Sequence, residues 1–585
     1  MTKQQTRIWQ WTIGGEAGFG IMSSGLLFAK SCQRAGYNVF DYAEYPSLIR
    51  GGHNSYHVSF STGPVATHHT EIDVLVALDR ETIDVHVANV REHGVVVYDV
   101  SDPTFDGFTP AKDERTWLAL PLEDLARSVG GQKLLRNTVA VGASLAVLGL
   151  PENIAEPLLQ AEFGGKGEQV VQMNVNMLQA GYKAVSIPPV IERHPAMSKK
   201  PRLYMTGNEA MALGTLMAGC QYYAAYPMTP ASSILGFLAQ HGPKYGMVVR
   251  HAEDEISVIN GTIGAAYAGV RAMCATSGGG FALMTEAVGL AAMTEIGVVI
   301  VNAQRGGPST GLPTWTEQAD LDQVLGAGQG DMTKIILSAS TVEDCSTIIQ
   351  EAFNLAEVWQ APVIVLTDKM LAESHMSLGE KLVQLPIGKD TLVSHPTLNA
   401  EGLFERYTTK TENGVSSRTI PGQVDGMFLV NSDEHNEVGH TIEDAPMRIA
   451  QMEKRRRKLD TLALSLPKQS RSGLSKSPLV IVTWGSSRGA VEDAVRILEA
   501  DGVHAEILTL THLLPLATDD LRQVMRENRH TVIVEGNQSG QLEGHIRRQT
   551  GLTFNAHFRK VDGRPFDPQQ LAQDIWQSFR SHASH

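Results

Sequence analysis

Three adjacent carboxyl side chains, Glu253, Asp254 and Glu255, stand directly before a segment of small residues. A carboxylate that is removed from water costs free energy unless another group holds it or uses it. Small residues spaced three and four apart leave room on one helix face for a neighbouring helix or a cofactor ring. The acidic cluster therefore indicates a functional site beside a helix that carries Gly261, Gly264, Ala265, Ala268 and Gly269.

A second candidate segment begins at Arg305, shortly after the apolar run 298–302. Glycines and hydroxyl side chains follow this arginine, among them Thr310 and Thr314. A guanidinium group can hold a carboxylate through two parallel hydrogen bonds. The segment thus predicts a carboxylate receptor at the end of a buried strand.

Two glycine- or proline-containing motifs permit a structural interpretation as well as a functional one. In residues 226–230 (Tyr-Pro-Met-Thr-Pro), Thr229 could cap a helix and Pro230 could form its first turn. Residues 277–280 (Ser-Gly-Gly-Gly) form either a simple turn or a loop whose backbone amides approach a ligand.

The loop around Gly18 and Gly20 resembles a dinucleotide-binding turn, because Asp41 lies about twenty residues further on. Ser23, however, stands where that pattern has its third glycine. A generic tight turn between a strand and a helix explains the loop at least as well.

The elements that position these residues form three α/β blocks, at 1–190, 203–385 and 476–585. Strands and helices alternate most plainly in the second block, which predicts a doubly wound parallel sheet with ligands at the carboxyl ends of its strands. The proline-rich segment 187–202 is interpreted as a linker. Residues 386–475 are polar and irregular, and we expect an extended connecting arm there.

Composition narrows the class of protein. With 49 Lys and Arg against 63 Asp and Glu, the 585 residues carry a net charge of −14, which argues against nucleic acid as the main partner. The basic run 454–458 is predicted to be a solvated helix face. The 4 cysteines are widely spaced, which is typical of a reducing compartment. Without a signal-peptide core or a run of about twenty apolar residues, we expect a cytoplasmic protein that does not span a membrane.

Taken in order, the 226–230 motif, the acidic cluster, residues 276–278 and the segment from Arg305 to Asp320 resemble the 2-oxoacid:ferredoxin oxidoreductases. Block 203–585 is similar to their alpha subunit. Block 1–190, with Arg50-Gly51-Gly52-His53-Asn54-Ser55, is similar to their gamma subunit fused in front. The resemblance implies a three-domain α/β chain: a gamma-like domain at 1–190, a pyrimidine-type thiamine domain at 203–385 and a transketolase-C-like domain at 476–585. The stretches 307–314 and 316–321 are most similar to the 2-oxoglutarate branch.

The resemblance implies a reaction and its cofactors. Enzymes of this family use thiamine diphosphate to decarboxylate a 2-oxo acid oxidatively, pass electrons through an iron–sulfur centre to ferredoxin and transfer the acyl group to coenzyme A. For 2-oxoglutarate the product is succinyl-CoA, and the reverse direction fixes CO₂. Pyruvate or a branched-chain 2-oxo acid is the alternative substrate. A non-catalytic nucleotide- or acyl-CoA-binding module and a scaffolding subunit are alternatives of another class.

The resemblance also implies roles for individual residues. A glutamate hydrogen-bonds the aminopyrimidine ring of the cofactor and promotes formation of the reactive ylid. Family register assigns this role to Glu255, whereas a helical wheel extended backwards favours Asp254. Whether Asp254 or Glu253 shares the role stays open at this point. Tyr226, Pro227 and Thr229 are expected to contact the cofactor. The substrate-binding residues implied are Thr229, Arg305, Thr314 and Thr310, with Arg50 and His53 as candidates for the second carboxylate of a dicarboxylic acid.

Two features of thiamine enzymes are missing from this sequence. It has no Gly-Asp-Gly motif followed by paired asparagines, which would form the pyrophosphate–magnesium site. It also has no set of cysteines that could hold an iron–sulfur cluster. In the family the Mg²⁺ site and the [4Fe–4S] cluster belong to the beta subunit. We therefore expect no metal on this chain, a beta-subunit partner in an (alpha–beta)₂ assembly, and a chain that is catalytically incomplete alone.

Overall fold

The computed structural model describes residues 7–48, 51–131, 135–197, 202–388, 391–525 and 529–583. The chain divides into two compact units. The first unit contains Met1–Met205, Ser374–Lys381 and Asp567–Gln570, and the second contains Thr206–Glu373, Leu382–Phe566 and Leu571–His585. The four-part division drawn from the sequence stays a prediction.

In chain order the strands are β1 (Trp9–Glu16), β2 (Asn38–Glu44), β3 (His53–Ser61), β4 (Ile72–Ala77), β5 (Val90–Asp99), β6 (Thr116–Leu120), β7 (Tyr204–Thr206), β8 (Tyr222–Ala225), β9 (Val248–His251), β10 (Ala272–Thr276), β11 (Val299–Gln304), β12 (Ile335–Ser338), β13 (Val363–Asp368), β14 (His375–Ser377), β15 (Ser470–Gly473), β16 (Leu479–Thr483), β17 (Ala505–Thr509), β18 (His512–Leu514), β19 (His530–Glu535) and β20 (Ala556–Arg559).

The helices are α1 (Ile21–Arg34), α2 (Arg80–His86), α3 (Leu122–Ser128), α4 (Arg136–Leu148), α5 (Glu156–Phe163), α6 (Glu168–Ala184), α7 (Gly207–Met217), α8 (Ser232–His241), α9 (Glu255–Tyr267), α10 (Gly278–Met293), α11 (Leu321–Gly326), α12 (Val342–Trp359), α13 (Lys369–Glu373), α14 (Ala445–Ser465), α15 (Ser487–Ala500), α16 (Thr518–Met525), α17 (Gln541–Thr550) and α18 (Pro568–Ala583). None of the helices that the structure describes is long and apolar enough to cross a membrane.

The first unit is built on a mixed sheet with strand order β6-β5-β4-β1-β3-β2-β14-β7. Strands β4 and β5 are buried and parallel, as their continuous apolar runs predict. Antiparallel pairing of β3 with β1 and β2 makes the sheet mixed. Helices α4 and α6 pack together, and Trp11 stacks on Phe28 with ring centroids 4.0 Å apart in the core.

The second unit contains two sheets. The larger has the order β18-β12-β13-β11-β10-β8-β9, and every pair except β12 with β18 is parallel. The doubly wound parallel α/β sheet predicted from the sequence is therefore confirmed. The smaller sheet has the order β15-β17-β16-β19-β20. The apolar strands of both sheets share one hydrophobic core, which includes Ile300, Val482 and Trp484.

The prediction of a solvated face for the basic run 454–458 is wrong. Lys454 and Lys458 are buried and donate to Glu295 Oε1 and Oε2 at 2.7 and 2.5 Å. Two buried ammonium groups are tolerated because the carboxylate of Glu295, just after α10, neutralises part of their charge. Of the run, Arg456 remains in solvent, with 77% of its side chain exposed.

Candidate functional site

The candidate residues of the second unit follow neighbouring parallel strands. Residues 226–230 follow β8, the acidic cluster follows β9, Ser277 follows β10 and Arg305 follows β11. Because these strands are parallel neighbours, their carboxyl ends lie along one edge of the sheet. The sheet thus brings the predicted cofactor and substrate segments together.

The structure separates the three acids of the cluster. Helix α9 begins at Glu255, which is only 4% exposed, while Glu253 and Asp254 are exposed. Asp254 is the N-cap, and its side chain accepts a hydrogen bond from the Ser257 amide at 2.8 Å. Asp254 has a positive φ of 67° and lies outside the helix. A helical wheel therefore does not apply to Asp254, and the buried carboxyl belongs to Glu255.

Glu255 Oε1 is buried and has no hydrogen-bond partner among the described residues. The hydroxyl of Ser277, the N-cap of α10, is also buried and unpartnered there. Gly280 makes room for the carboxylate, because a Cβ atom at that position would lie 2.5 Å from Glu255 Oε1. Buried polar atoms without partners are rare in folded proteins. This carboxylate fits a polar ligand atom that the chain does not itself supply, such as the ring nitrogen of an aminopyrimidine.

Arg305 lies opposite the 226–230 motif. Its Nη1 donates to the carbonyl oxygen of Thr229 at 2.6 Å, and the side chain is half-buried. Burial lowers the pKa of the Arg305 guanidinium, and the charge of Asp320 opposes that shift. Among the described residues, no carboxylate lies within 4.0 Å of Arg305. The guanidinium therefore keeps donors that can bind an anion.

The loop after Arg305 turns back on itself. The Gly306 carbonyl accepts a hydrogen bond from the Leu312 amide at 2.8 Å. Thr310 in this loop is exposed, whereas Thr314, in the turn that follows Leu312, is buried. Of the two hydroxyl residues predicted to line the substrate pocket, the structure encloses Thr314 and leaves Thr310 in solvent.

The two remaining cofactor candidates lie at the start of the 226–230 motif. Tyr226 is half-buried, with its ring centroid 6.5 Å from that of His251, and Pro227 is exposed. Thr229 itself is half-buried. Their assignment to cofactor binding stays a prediction.

Asp320 is a site residue that the sequence reasoning missed. Its Oδ2 accepts a hydrogen bond from Asn302 Nδ2 at 3.1 Å, and its amide donates to Gln304 Oε1 at 3.0 Å. A Cβ atom at Gly278 would lie 2.6 and 2.7 Å from the two Asp320 carboxylate oxygens. Burial raises the pKa of Asp320 to about 6, against the opposing effects of the Asn302 hydrogen bond and the Arg305 charge. The sequence places an acid in this segment but carries no signal that its carboxylate packs against Gly278.

Gln318 ties the site segment to the smaller sheet. Its Oε1 accepts from the Gly536 amide at 2.7 Å and from the Ser487 hydroxyl at 2.6 Å. Its Nε2 donates to the Trp484 carbonyl at 2.9 Å. The loops after β16 and β19 thus anchor the segment that leads from Arg305 to Asp320.

In the first unit, Arg50 lies outside the described residues. His53 opens β3, and its Nε2 lies 2.9 Å from His86 Nε2. Burial lowers the pKa of His53 against the opposing charges of Asp79 and Glu81. A neutral, paired imidazole is a weak receptor for a second carboxylate, and this role stays a prediction for both residues.

The Gly18–Gly20 loop of the first unit has the geometry of a tight turn. Gly18 and Gly20 have φ values of 99° and 73°, and a Cβ atom at Gly20 would lie 2.1 Å from Asn137 Nδ2. The Asp41 carboxylate, which a dinucleotide ribose would need, accepts hydrogen bonds from Tyr56 and Tyr204 at 2.5 and 2.7 Å. The structural interpretation of this loop is favoured.

The part of the chain that the structure describes contains no group of three His, Cys, Asp or Glu side chains that could hold a metal ion. The four cysteines are all buried and free.

Three family models match the chain. Residues 10–184 match pyruvate ferredoxin/flavodoxin oxidoreductase, and residues 213–454 match the thiamine diphosphate-binding part of pyruvate flavodoxin/ferredoxin oxidoreductase. Residues 474–577 match the transketolase C-terminal domain. These matches confirm the predicted three-domain α/β class.

The chain also resembles named relatives along its length. It is 31% identical to 2-oxoacid:ferredoxin oxidoreductase 2, subunit alpha, of Aeropyrum pernix, with 96% of each chain covered. Over 64% of its length it is 31% identical to the 2-oxoglutarate synthase subunit KorA of Methanothermobacter marburgensis, of which 98% is covered. A solved 2-oxoglutarate:ferredoxin oxidoreductase from Magnetococcus marinus, with 2-oxoglutarate, coenzyme A and succinyl-CoA bound, superimposes with a TM-score of 0.90. It is 31% identical, and the match covers 98% of this chain and 100% of that one. The chain therefore belongs to the 2-oxoacid:ferredoxin oxidoreductases, as an alpha subunit.

Proposed function

We propose that this chain is the alpha subunit of a 2-oxoglutarate:ferredoxin oxidoreductase, which converts 2-oxoglutarate and coenzyme A to succinyl-CoA, CO₂ and reduced ferredoxin. The observation that carries the proposal is the buried, unpartnered Glu255 Oε1 beside Gly280, on the same sheet edge as Arg305. The ligands bound to the Magnetococcus marinus relative support the choice of substrate.

Glu255 is proposed to hold the aminopyrimidine ring of thiamine diphosphate. When bound, this cofactor supplies a carbon nucleophile and an electron sink for the 2-oxo acid. Glu255 contributes a carboxylate at a fixed position, since α9 starts at this residue and Gly280 leaves the space that it occupies. A buried carboxylate that shares a proton with a ring nitrogen can manage proton transfer at that nitrogen.

Arg305 is proposed to bind the carboxylate next to the 2-oxo group, and Thr229 to contact the same end of the substrate. The hydrogen bond from Arg305 Nη1 to the Thr229 carbonyl fixes the guanidinium plane. A planar donor held in this way orients a carboxylate and restricts rotation of the attached oxo carbon. Buried Thr314 is proposed to line the same pocket, with Thr310 at its solvent edge.

A beta subunit is proposed to cover the exposed faces of α9 and α10 and to carry the Mg²⁺ site and the [4Fe–4S] cluster. The two helices pack together and are strongly apolar. Even so, Ile256 on α9 and Leu283 on α10 are 52% and 53% exposed. Helices that are apolar on every face are normally buried. Because this face adjoins Glu255, the partner that covers it would complete the cofactor site, in an (alpha–beta)₂ assembly that transfers electrons to ferredoxin.

Steady-state rates of the complex reconstituted from both subunits test this proposal. With coenzyme A and ferredoxin present, kcat/KM should be highest for 2-oxoglutarate among 2-oxoglutarate, pyruvate and 2-oxoisovalerate. This chain without the beta subunit should show no turnover. A preference for pyruvate or 2-oxoisovalerate would contradict the assignment of 2-oxoglutarate as the substrate. Turnover by the isolated chain would contradict the proposal that the cofactor site is shared with a beta subunit.

A further inference from the structure

Asp320 lies next to the proposed substrate site but has no role in the function proposed above. Its carboxylate is held between Asn302 at the end of β11 and the Cα atom of Gly278 at the start of α10. The Gln304 side chain fixes its backbone amide and itself donates to the Thr367 carbonyl at 3.2 Å. No cation in the described part of the chain lies within 4.0 Å of this carboxylate. Asp320 is therefore a half-buried acid held in position by these contacts, without an ion-pair partner among the described residues.

The charges around Asp320 are unbalanced. Arg305 is the cation that acts on it, and it also acts on Arg305. Glu317 in the same segment and Glu255 at the start of α9 add two further carboxyls to this end of the sheet. Burial raises the pKa of Glu317, and the nearby Asp320 charge raises it further. The Arg305 charge thus acts on Asp320 before any substrate binds, and the Asp320 charge acts in turn on Glu317.

A 2-oxo acid adds another carboxylate at Arg305. The new anion pairs with the Arg305 guanidinium, whose positive charge helps to keep Asp320 ionised. It also repels the Asp320 carboxylate directly. Two carboxylates that share one cation in a buried site titrate together, and protonation of one stabilises the other as an anion. Asp320 is the group placed to accept that proton, because its ionised form depends on the same Arg305 charge that the substrate carboxylate neutralises.

We propose that binding of the 2-oxo acid at Arg305 is coupled to the uptake of one proton by Asp320. The proton comes from solvent and forms an O–H bond on an Asp320 carboxylate oxygen. It returns to solvent when the site loses the substrate carboxylate. Asp320 is in this sense a positioning residue, because its neutral form does not compete with the substrate carboxylate for the Arg305 guanidinium. The inference rests on the proposed role of Arg305.

The direction of the pH dependence follows from this coupling. Asp320 alone titrates with a pKa of about 6 and is mostly ionised at neutral pH. A bound anion raises that pKa. At pH values between the pKa of Asp320 in the free site and its raised pKa in the complex, the complex therefore holds more protons than the free site. Substrate affinity therefore falls as the pH rises through this window, by at most about tenfold per pH unit for one coupled proton.

Calorimetry on the reconstituted alpha–beta complex tests the inference. The complex is freed of thiamine diphosphate, so that no decarboxylation occurs, and is titrated with 2-oxoglutarate at pH 7 in phosphate and in Tris. The two buffers differ in ionisation enthalpy, and the difference in binding enthalpy counts the protons taken up. We expect a net uptake of protons, because the bound anion raises the pKa of Asp320 from about 6 towards the working pH.

Asp320→Asn keeps the size of the side chain but cannot take up a proton. It should bind without proton uptake, and its KM for 2-oxoglutarate should be independent of pH between about 6 and 8. Asp322→Asn is the matched control, because Asp322 is an exposed acid in the first turn of α11. This control should keep the wild-type uptake and the wild-type slope of KM with pH.

The wild-type measurement decides the inference even where Asp320→Asn does not fold. Binding without proton uptake, together with a KM that does not change with pH, would overturn it, as would full uptake in Asp320→Asn. Neither result would affect the proposed function. If the complex prefers another 2-oxo acid, the substrate proposal fails, and the same titration with that acid still tests Asp320 because its carboxylate also binds Arg305.

Discussion

Gly280 lies so close to Glu255 that a Cβ atom at position 280 would come within 2.5 Å of Glu255 Oε1 and 2.1 Å of Thr276 Oγ1. Gly280 sits in the first turn of α10 and the carboxylate at the first position of α9. The two helices therefore meet at Gly280, and the absence of a side chain there leaves the space that the Glu255 carboxylate occupies.

Gly280→Ala should displace the Glu255 carboxylate and lower the turnover of the reconstituted complex by about 100-fold, because small misplacements of a reacting group are costly. Gly544→Ala is the control, since Gly544 lies inside α17 with open space around its Cα. It should keep full activity and stabilise the chain by about 0.5 kcal/mol. Activity in Gly280→Ala equal to that of the control would show that the contact does not position Glu255.

Glu255→Gln should lower kcat by at least about 100-fold, because the amide keeps the shape of the carboxyl group but cannot share a proton with the cofactor. Asp254→Asn serves as the matched control. Asparagine caps a helix about as well as aspartate, so the hydrogen bond to the Ser257 amide is kept. Stopped-flow or steady-state rates that fall equally in both variants would argue against a special role for Glu255.

Glu295→Gln should destabilise the chain by about 3–5 kcal/mol, because it leaves the buried ammonium groups of Lys454 and Lys458 without their carboxylate. Urea unfolding monitored by circular dichroism measures this loss. Glu453→Gln, an exposed glutamate of α14, is the control and should change stability by less than about 0.5 kcal/mol.

The same carboxylate should make stability depend on acid pH. Burial alone would raise the pKa of Glu295, but the charges of Lys454, Lys458 and Arg406 outweigh burial and hold it well below its usual range. A depressed pKa contributes stability that is fully present above the unfolded value of about 4.5 and is lost as the pH falls below it. The wild type should therefore lose stability below about pH 4.5 more steeply than Glu295→Gln. Equal acid slopes in the two proteins would contradict this.

Much of the fold follows from local sequence. Apolar runs such as 272–276 and 298–302 predict buried parallel strands, and the order of motifs after them predicts which segments meet at the sheet edge. Ser277 after β10 and Arg305 after β11 lie where that rule places them.

What the sequence does not show depends on contacts between distant residues. Lys454 and Glu295 are 159 positions apart, and a basic run on a polar helix carries no sign of such a partner. The sequence likewise does not show which of the three consecutive acids caps the helix. Helix α9 starts at Glu255 because Asp254 has a positive φ and stays outside the helix. Asp320 is partly enclosed because Gly278 at the start of α10 and Asn302 on β11 pack against its carboxylate. Strand β18 joins the larger sheet although the rest of its block forms the smaller one.

Leu283→Glu should prevent assembly with the beta subunit while this chain stays folded. Leu283 is 53% exposed on the outer face of α10, so a charged side chain there remains in water in the free chain. In the proposed complex the same carboxylate would be buried without a partner, which is strongly unfavourable at the centre of an interface. The affinity for the beta subunit should fall by about 100-fold or more, measured by size-exclusion chromatography and titration of the purified subunits.

Leu464→Glu, at the end of α14 where the leucine is 89% exposed, is the matched control and should assemble normally. Normal assembly of Leu283→Glu would place the beta subunit on another face and would separate Glu255 from the shared cofactor site.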